Sequence, residues 1–209
     1  MKWVHVILGT RCSWLHGDRR GFRSRGHRIH SSGDYRKPPP EGEHAELREY
    51  HQQRSGDVVV FDQRVRIEIL RGFVGKMHRL ECRIIVASVG GKHLHALCEL
   101  PGEYGEWQQM VGKCKQHASH QVRGMLPGSV WAEGGKFEPI RDLGHLRNAY
   151  GYIREKQEGG TVVWSHRGEE DWILCPGVGV VVMGVGGKRI RVFAGAQTPA
   201  SERGEDPDS

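Results

Sequence analysis

Residues 92–100 constrain the fold of this chain most, because polar and apolar side chains alternate along them and predict a β-strand with two different faces. The alternation places His93 and His95 on one face and Leu94, Ala96 and Cys98 on the other. Two residues on one strand face lie about 6.5–7 Å apart at the backbone, so the two imidazole rings can converge on a single divalent cation. A chain with 13 histidines also contains such a pair by chance, so a metal site here needs support from a second motif.

The neighbouring segments predict the sheet to which this strand belongs. Residues 82–89 are a second apolar strand, and Gly90-Gly91 is a turn that joins the two strands. A first strand is predicted over residues 2–10, and helices are predicted over residues 62–77 and 104–125 from their apolar periodicity. The order strand, helix, strand, strand, helix, strand predicts an α+β fold, with a ferredoxin-like antiparallel sheet and the helices packed on one face.

A further helix is predicted over residues 146–157, with Asp142 as its N-cap and Gly159-Gly160 as the turn that ends it. Tyr152 lies off the centre of the apolar stripe of this helix, so its hydroxyl can face a cleft. Glu155 at i+3 and Lys156 at i+4 are its neighbours on the helix surface. The apolar stripe, at helical spacing, consists of Leu146, Ala149, Tyr150 and Ile153.

These two motifs, in this order, resemble the single-tyrosine HUH transposases, the family of small insertion-sequence and REP-associated tyrosine transposases. The matching residues are His93-Leu94-His95 and Tyr152-Ile153, the start of the family's Tyr-Ile-x-x-(Asn/Gln) pattern. Residues 4–10 and 17–21 are similar to the opening of one branch of the family, and the likeness covers roughly residues 3–165. The resemblance implies that His93 and His95 bind Mg²⁺ or Mn²⁺ and that Tyr152 is the catalytic nucleophile.

One position departs from the family pattern. The family usually has a Gln or Asn four residues after the tyrosine as the third metal ligand, and Lys156 stands there in this chain. A cationic side chain cannot ligate a metal, so Glu155 at i+3 or Gln157 at i+5 would have to substitute, or activity has been lost. Glu155 is the expected ligand, because a residue at i+5 on a helix rotates away from the face that carries Tyr152.

The resemblance further implies a DNA transposase, an endonuclease that cleaves and rejoins single-stranded, hairpin-forming DNA through a 5′-phosphotyrosine intermediate. Tyr150 is the rival nucleophile, but its place on the apolar stripe favours a core role. Members of the family differ in oligomeric state, and a homodimer is one expectation.

Two other functions are open. Lys156 favours an inactive or domesticated relative that binds single-stranded or hairpin DNA, or RNA, without cleaving it. A ferredoxin-like RNA-binding module with a structural histidine pair is the other, although the strand that carries the pair has none of the aromatic residues that such sheets use to stack on bases.

Basic residues predict a polyanionic partner, since the net charge is +6 and the isoelectric point is about 9.2. Residues 11–40 are a basic, Gly-rich insertion that is either a solvated loop or an arm that contacts phosphates. The helix over residues 104–125 carries further polar side chains, and the resemblance puts the equivalent helix near DNA. The candidate DNA-binding residues are Arg19, Arg20, Arg23, Arg25, Arg36, Lys113, Lys115 and Gln116.

The chain divides into an HUH-type domain over residues 1–175, which includes the basic arm over residues 11–40, and a tail over residues 176–209. The tail is Gly/Val-rich and then acidic, and it is expected to be irregular and poorly ordered. Five cysteines without a Cys-x-x-Cys pair predict reduced thiols and a cytoplasmic protein. No apolar run of 18 residues is present, so no membrane span is expected.

Overall fold

The structure, a computed structural model, describes residues 1–21, 30, 32, 37, 39–166, 181–182 and 191–192. Its helices are α1 (Ala45–Ser55), α2 (Gln63–Arg79), α3 (Tyr104–Gln121) and α4 (Leu143–Glu155). Its strands are β1 (Lys2–Gly9), β2 (Ile84–Val89), β3 (His93–Leu100), β4 (Lys136–Pro139), β5 (Val162–Ser165), β6 (Val181–Val182) and β7 (Arg191–Val192).

Five of the strands form one antiparallel sheet in the order β4-β1-β3-β2-β5, and β6 pairs with β7 in a separate ribbon. The described residues also form four helices, so the fold is α+β, as the sequence predicts. The strand that carries the histidine pair, β3, is the middle strand, with β1 on one side and β2 on the other. A central strand is held by hydrogen bonds along both of its edges, so the positions of His93 and His95 are fixed by the backbone of three strands.

Alternation along the central strands divides the core between the two faces of the sheet. Leu94 and Cys98 of β3 face the larger apolar cluster, which α2 and α3 complete with side chains such as Ile69, Phe73 and Trp107. Burying each large apolar side chain of this kind contributes about 1.5–3 kcal/mol relative to leaving it in water. This face therefore supplies most of the stability of the domain.

The opposite face of the sheet is covered by α4, which contradicts the expectation that the helices pack on one face. Ala149 and Ile153 of α4 lie against Val86 and Leu97, with Val163 of β5 in the same cluster. The reason is that β2, β3 and β5 carry apolar residues at both parities, so the sheet has two faces to bury. The helix that carries Tyr152 is consequently on the same face as His93 and His95.

The predicted start of α3 and the predicted N-cap of α4 are confirmed, whereas α3 ends at Gln121 instead of residue 125 and α4 at Glu155 instead of residue 157. Asp62 caps α2 by accepting a hydrogen bond from Val65 N at 2.8 Å, and Asp142 caps α4 by accepting one from His145 N at 2.8 Å. The polar helix α1 has no buried residue, as expected for a solvated surface helix. Cys82 is buried in the core.

The described start of the basic arm, residues 11–21, packs against α1. Gly17 adopts φ +81°, and a Cβ on it would lie 2.5 Å from the backbone nitrogen of Arg48, so only glycine fits this approach. Arg11 Nη2 also donates to Ser55 O at 2.8 Å. The remainder of the arm, apart from residues 30, 32, 37, 39 and 40, lies outside the described residues, and so does the predicted tail apart from β6 and β7.

None of the helices among the described residues is both long and apolar enough to cross a membrane. The four described cysteines, Cys12, Cys82, Cys98 and Cys114, are free thiols.

Candidate functional site

The two histidines of β3 lie side by side on the face of the sheet that α4 covers. Their ring centroids are 5.0 Å apart, and the rings are nearly perpendicular. His95 is only 6% exposed, while His93, at the beginning of the strand, is half-buried. The predicted alternation along β3 therefore brings the two imidazoles together.

A third imidazole, from His5 of β1, joins this pair. The pairing of β1 with β3 sets His5 opposite Leu97, so the ring of His5 shares a face with that of His95. His5 Nε2 lies 3.0 Å from His95 Nδ1, a buried hydrogen bond between residues that are 90 positions apart in the chain. The sequence analysis assigned no role to His5, although its parity opposite to Val4 and Val6 already put it on the non-core face of the first strand.

Glu138 of β4 stands on the far side of His5. It is opposite His5 in the pairing of β1 with β4, and its Oε2 lies 3.7 Å from His5 Nδ1. Lys136 Nζ lies 2.5 Å from Glu138 Oε1, and the hydrogen bond from this lysine lowers the pKa of the glutamate. A row of three side chains, Glu138, His5 and His95, therefore runs across three adjacent strands.

Burial favours the neutral form of His5 and His95. It lowers the pKa of His95 to about 3, and the neighbouring His93 and His5 add to the effect. Burial also lowers the pKa of His5, although Glu138 opposes that shift. Neutral imidazole has a free lone pair and is the form that binds metals, so His95 is in the metal-binding form at neutral pH.

Tyr152 of α4 lies beside the histidines on the same face of the sheet. Its ring centroid is 5.5 Å from that of His95 and 6.2 Å from that of His5, edge-on in both cases. The side chain is 43% exposed, so the phenol is open to a substrate from solvent. The structure thus brings the predicted nucleophile next to the predicted metal ligands.

Tyr150 points elsewhere. Its hydroxyl is 2.8 Å from Ser165 Oγ on β5, and its ring packs against the apolar cluster under α4. This tyrosine has the core role that its place on the apolar stripe predicts, and its hydroxyl is engaged away from the histidines.

Gln157, and not the predicted third ligand Glu155, contacts the histidine pair. Gln157 Oε1 lies 3.3 Å from His93 Nε2, and Gln157 Nε2 donates to Tyr152 O at 2.9 Å, whereas Glu155 is exposed at the last position of α4. The helix ends at Glu155, and Lys156 turns the backbone out of it at φ −108° and ψ 32°. The argument that i+5 rotates away assumed a continuing helix, and it does not apply once the chain has left the helix.

The segment after α4 is tied to the turn between β2 and β3. Glu158 Oε1 accepts a hydrogen bond from Gly91 N at 2.6 Å, and Arg66 Nη1 donates to Gly160 O at 2.7 Å. A Cβ on Gly90 would lie 2.7 Å from Glu158 Oε1 and 3.1 Å from His93 Nε2. Glycine at this turn therefore leaves the space in which Gln157 and Glu158 reach the beginning of β3.

The donor atoms fit a divalent cation. Imidazole nitrogens suit transition metals such as Zn²⁺ and Fe²⁺, whereas an amide oxygen suits Mg²⁺ and Mn²⁺. Ser88 lies opposite His95 in the pairing of β2 with β3, and its buried hydroxyl has no hydrogen-bond partner. This hydroxyl is therefore a polar group next to His95 that is free to form a further hydrogen bond. The described part of the chain contains no cluster of three or more His, Cys, Asp or Glu side chains that could hold a metal.

The predicted DNA-binding residues of α3 lie on the side of the sheet opposite to the histidines. Lys113 and Gln116 are exposed on α3, the helix that covers the face opposite to His95. Lys115 Nζ donates to Ala132 O and Gly134 O at 2.8 Å each, and partial burial lowers its pKa. Lys115 thus holds the loop before β4 through these two hydrogen bonds. The apolar side of α3 faces the sheet, so its cationic side chains lie on the outer side of the helix.

Two of the five predicted DNA-binding arginines of the arm lie within the described residues. Arg19 is exposed, and Arg20 forms an ion pair with Asp18 at 2.7 Å while its guanidinium lies 4.4 Å from the ring centroid of Trp14. Arg23, Arg25 and Arg36 lie outside the described residues. Arg20 also lines a cleft of about 460 Å³ together with Arg48 and Lys92. Asp18 and Asp57 line the same cleft, so its cationic side chains outnumber its carboxylates by three to two. Lys92 directly precedes His93, so this basic cleft opens at the end of β3 where the histidine pair begins.

Comparison with known proteins adds one distant structural likeness. No family model and no curated protein matches the chain. A solved structure of a REP-associated tyrosine transposase bound to a REP hairpin matches it with a TM-score of 0.40 and 12% sequence identity over 73% of this chain. The match spans 64% of that transposase chain, so this chain covers less than two thirds of its length. A likeness at this level does not define the family or the function of the chain.

Proposed function

We propose that this protein is a metal-dependent transposase of the single-tyrosine HUH type, which cleaves and rejoins single-stranded DNA. The observation that carries the proposal is the meeting of three elements on one sheet face. Tyr152 of α4 lies edge-on to His95, and His93 beside it contacts Gln157. A phenol open to solvent next to neutral imidazoles is the combination that a tyrosine nucleophile and a divalent cation require.

The fold supports the same proposal. Apart from the surface helix α1 that follows β1, the chain runs as β1, α2, β2, β3, α3 and β4, and these strands lie in the order β4-β1-β3-β2. This order supports the predicted ferredoxin-like arrangement, with β5 added beside β2 and α4 on the opposite sheet face.

His93, His95 and Gln157 would hold the cation, with Mg²⁺ or Mn²⁺ as the expected ions. When bound, the cation polarises the scissile phosphate and offsets charge in the transition state. The Tyr152 oxygen would attack phosphorus and lose its proton to water, while the bond from phosphorus to the 3′ oxygen breaks and that oxygen takes a proton from water. The products are a 5′-phosphotyrosine and a free 3′-hydroxyl, and attack by a 3′-hydroxyl reverses the step, regenerating a phosphodiester without an energy donor.

DNA would reach Tyr152 by way of the basic cleft. Arg20, Arg48 and Lys92 line it, and the exposed ring of Trp14 beside Arg20 offers a surface on which an unpaired base can stack. Together with the net charge of +6, these side chains suit a single strand approaching the beginning of β3. A hairpin-forming substrate and a homodimer remain predictions from the resemblance. The free thiols support the predicted cytoplasmic location.

The test is adduct formation with single-stranded hairpin DNA pools labelled at either end, in the presence of Mn²⁺, Mg²⁺ or a chelator. Wild type is expected to give a denaturation-resistant protein adduct with the 3′ label and a free fragment with the 5′ label. Tyr152→Phe should abolish the adduct, and Tyr150→Phe is the matched control that should retain it. An adduct that persists in Tyr152→Phe, or forms equally in the chelator, would refute the mechanism.

A binding-only relative is the second candidate, and a specific observation favours it. Lys156 occupies the position of the family's usual ligand, and Gln157 reaches His93 only because the helix ends early. Salt-sensitive binding of hairpin DNA or RNA by the wild type, without an adduct in either metal, would identify this function.

A further inference from the structure

The hydrogen bond between His5 and His95 determines which nitrogen of each ring carries the proton. Both rings are 6% exposed, so water does not satisfy the two nitrogens that lie 3.0 Å apart. A neutral imidazole carries one proton on one of its two nitrogens, so one ring must donate in this hydrogen bond and the other must accept. Which ring donates decides which nitrogen of His95 keeps its lone pair.

Glu138 selects between the two arrangements. Its carboxylate lies 3.7 Å from His5 Nδ1 and favours a proton on that nitrogen by electrostatic attraction. Lys136 holds the carboxylate in place from its other side at 2.5 Å. With the proton on Nδ1, neutral His5 has a lone pair on Nε2, and His95 Nδ1 must donate to it. His95 Nε2 then keeps its lone pair.

We propose that His5 is a positioning residue that holds His95 in the tautomer with a free Nε2, and that Glu138 fixes the tautomer of His5 in turn. The inference rests on the proposed function only in assigning a metal to that lone pair. Histidines that ligate metals usually donate their second N–H to a carboxylate or a carbonyl oxygen, which fixes the ring. Here another imidazole is the acceptor, and the carboxylate stands one residue further back.

His5 is not itself a ligand in this arrangement. Its Nε2 is engaged by His95, and its Nδ1 faces Glu138. Its contribution passes through His95, and loss of an outer partner of this kind typically lowers metal affinity about 10–100-fold.

Two readouts test the inference on the full chain. The first is the tautomer of His95, measured without metal by two- and three-bond ¹H–¹⁵N correlation spectra at neutral pH. The second is Mn²⁺ affinity, measured by calorimetry and by the electron paramagnetic resonance signal of free Mn²⁺. The variants are His5→Phe, which keeps a ring but has no acceptor, His5→Gln, whose amide oxygen can accept from His95, and Glu138→Gln.

The wild type and His5→Gln are expected to show a protonated Nδ1 and a free Nε2 on His95. His5→Phe should shift His95 toward the other tautomer and weaken Mn²⁺ binding about 10–100-fold, and Glu138→Gln should give a mixture of tautomers. A protonated Nε2 on His95 in the wild type would overturn the inference even if His5→Phe does not fold. Unchanged Mn²⁺ affinity in a folded His5→Phe would overturn it as well.

The spectra separate this inference from the proposed function. If the wild type binds no Mn²⁺, the metal-dependent function fails, while the tautomer measured without metal still decides whether His5 orients His95.

Discussion

Acid should destabilise this protein through His95, and the size of the effect follows from its burial. The imidazole titrates near its ordinary value of 6.5 when the chain is unfolded, but its pKa is about 3 in the folded protein. Between these values the unfolded state binds a proton that the folded state excludes, so the contribution is fully present above pH 6.5 and is lost as the pH falls toward 3. One such proton changes the free energy of unfolding by about 1.4 kcal/mol per pH unit, or about 2 kcal/mol between pH 7 and pH 5.

Urea unfolding followed by tryptophan fluorescence at half-unit steps from pH 7.5 to 4.5 measures this loss. The slope of the free energy of unfolding against pH is compared between the wild type and His95→Gln. The difference between the two slopes isolates His95, because other buried groups such as His5 contribute to both proteins. His120→Gln removes an exposed histidine of α3 and is the matched control. His95→Gln should flatten the slope by about one proton, whereas an identical slope in wild type and His95→Gln would refute the assignment of a buried neutral imidazole at this position.

Three further predictions concern the ligand set, the DNA path and the core. Gln157→Ala should lower Mn²⁺ affinity and adduct yield at least 10-fold, while Glu155→Ala should leave both within about 2-fold, as measured by calorimetry and denaturing gels; equal losses would return Glu155 to the site. Arg48→Ala should weaken hairpin binding and reduce the slope of log affinity against log salt by about 1, while Lys113→Ala, on the opposite side of the sheet, should leave the slope unchanged in a filter-binding titration. Ile153→Ala should reduce the free energy of unfolding by about 2–4 kcal/mol in urea melts, because Ile153 is fully buried between α4 and the sheet; a loss below about 1 kcal/mol would mean that α4 is not packed as described.

The central strand and its neighbours could be predicted because their information is local. Alternation along residues 92–100 fixes both the strand and the face of the histidine pair, and Asp142 marks the beginning of α4. The side of the sheet that α4 covers was not predicted correctly. That choice depends on Val86, Leu97 and Val163 acting together, and these three residues meet only after the strands have paired.

The neighbouring positions of His93, His95 and Tyr152 could be predicted from local spacing. The contacts of Gln157 and His5 could not, because they depend on where α4 ends and on how β1 pairs with β3. The contact of Gln157 with His93 follows from the helix ending two residues earlier, and the boundaries of a helix are poorly determined by periodicity. His5 meets His95 through the pairing of β1 with β3. The bracing role of Lys115 needs two carbonyl groups of a loop, which no pattern along α3 indicates.

The two faces of the sheet are covered unequally, so substitutions on one face should cost more stability than substitutions on the other. The side under α2 and α3 holds the large apolar cluster, while the side with the histidines is covered by a single helix that leaves a cleft of about 560 Å³ beside Leu143 and Leu146. Changes at Tyr152 or Gln157 touch little of what keeps the chain folded. A single substitution at Tyr152 or Gln157 can therefore alter the candidate site and still leave a folded, basic protein.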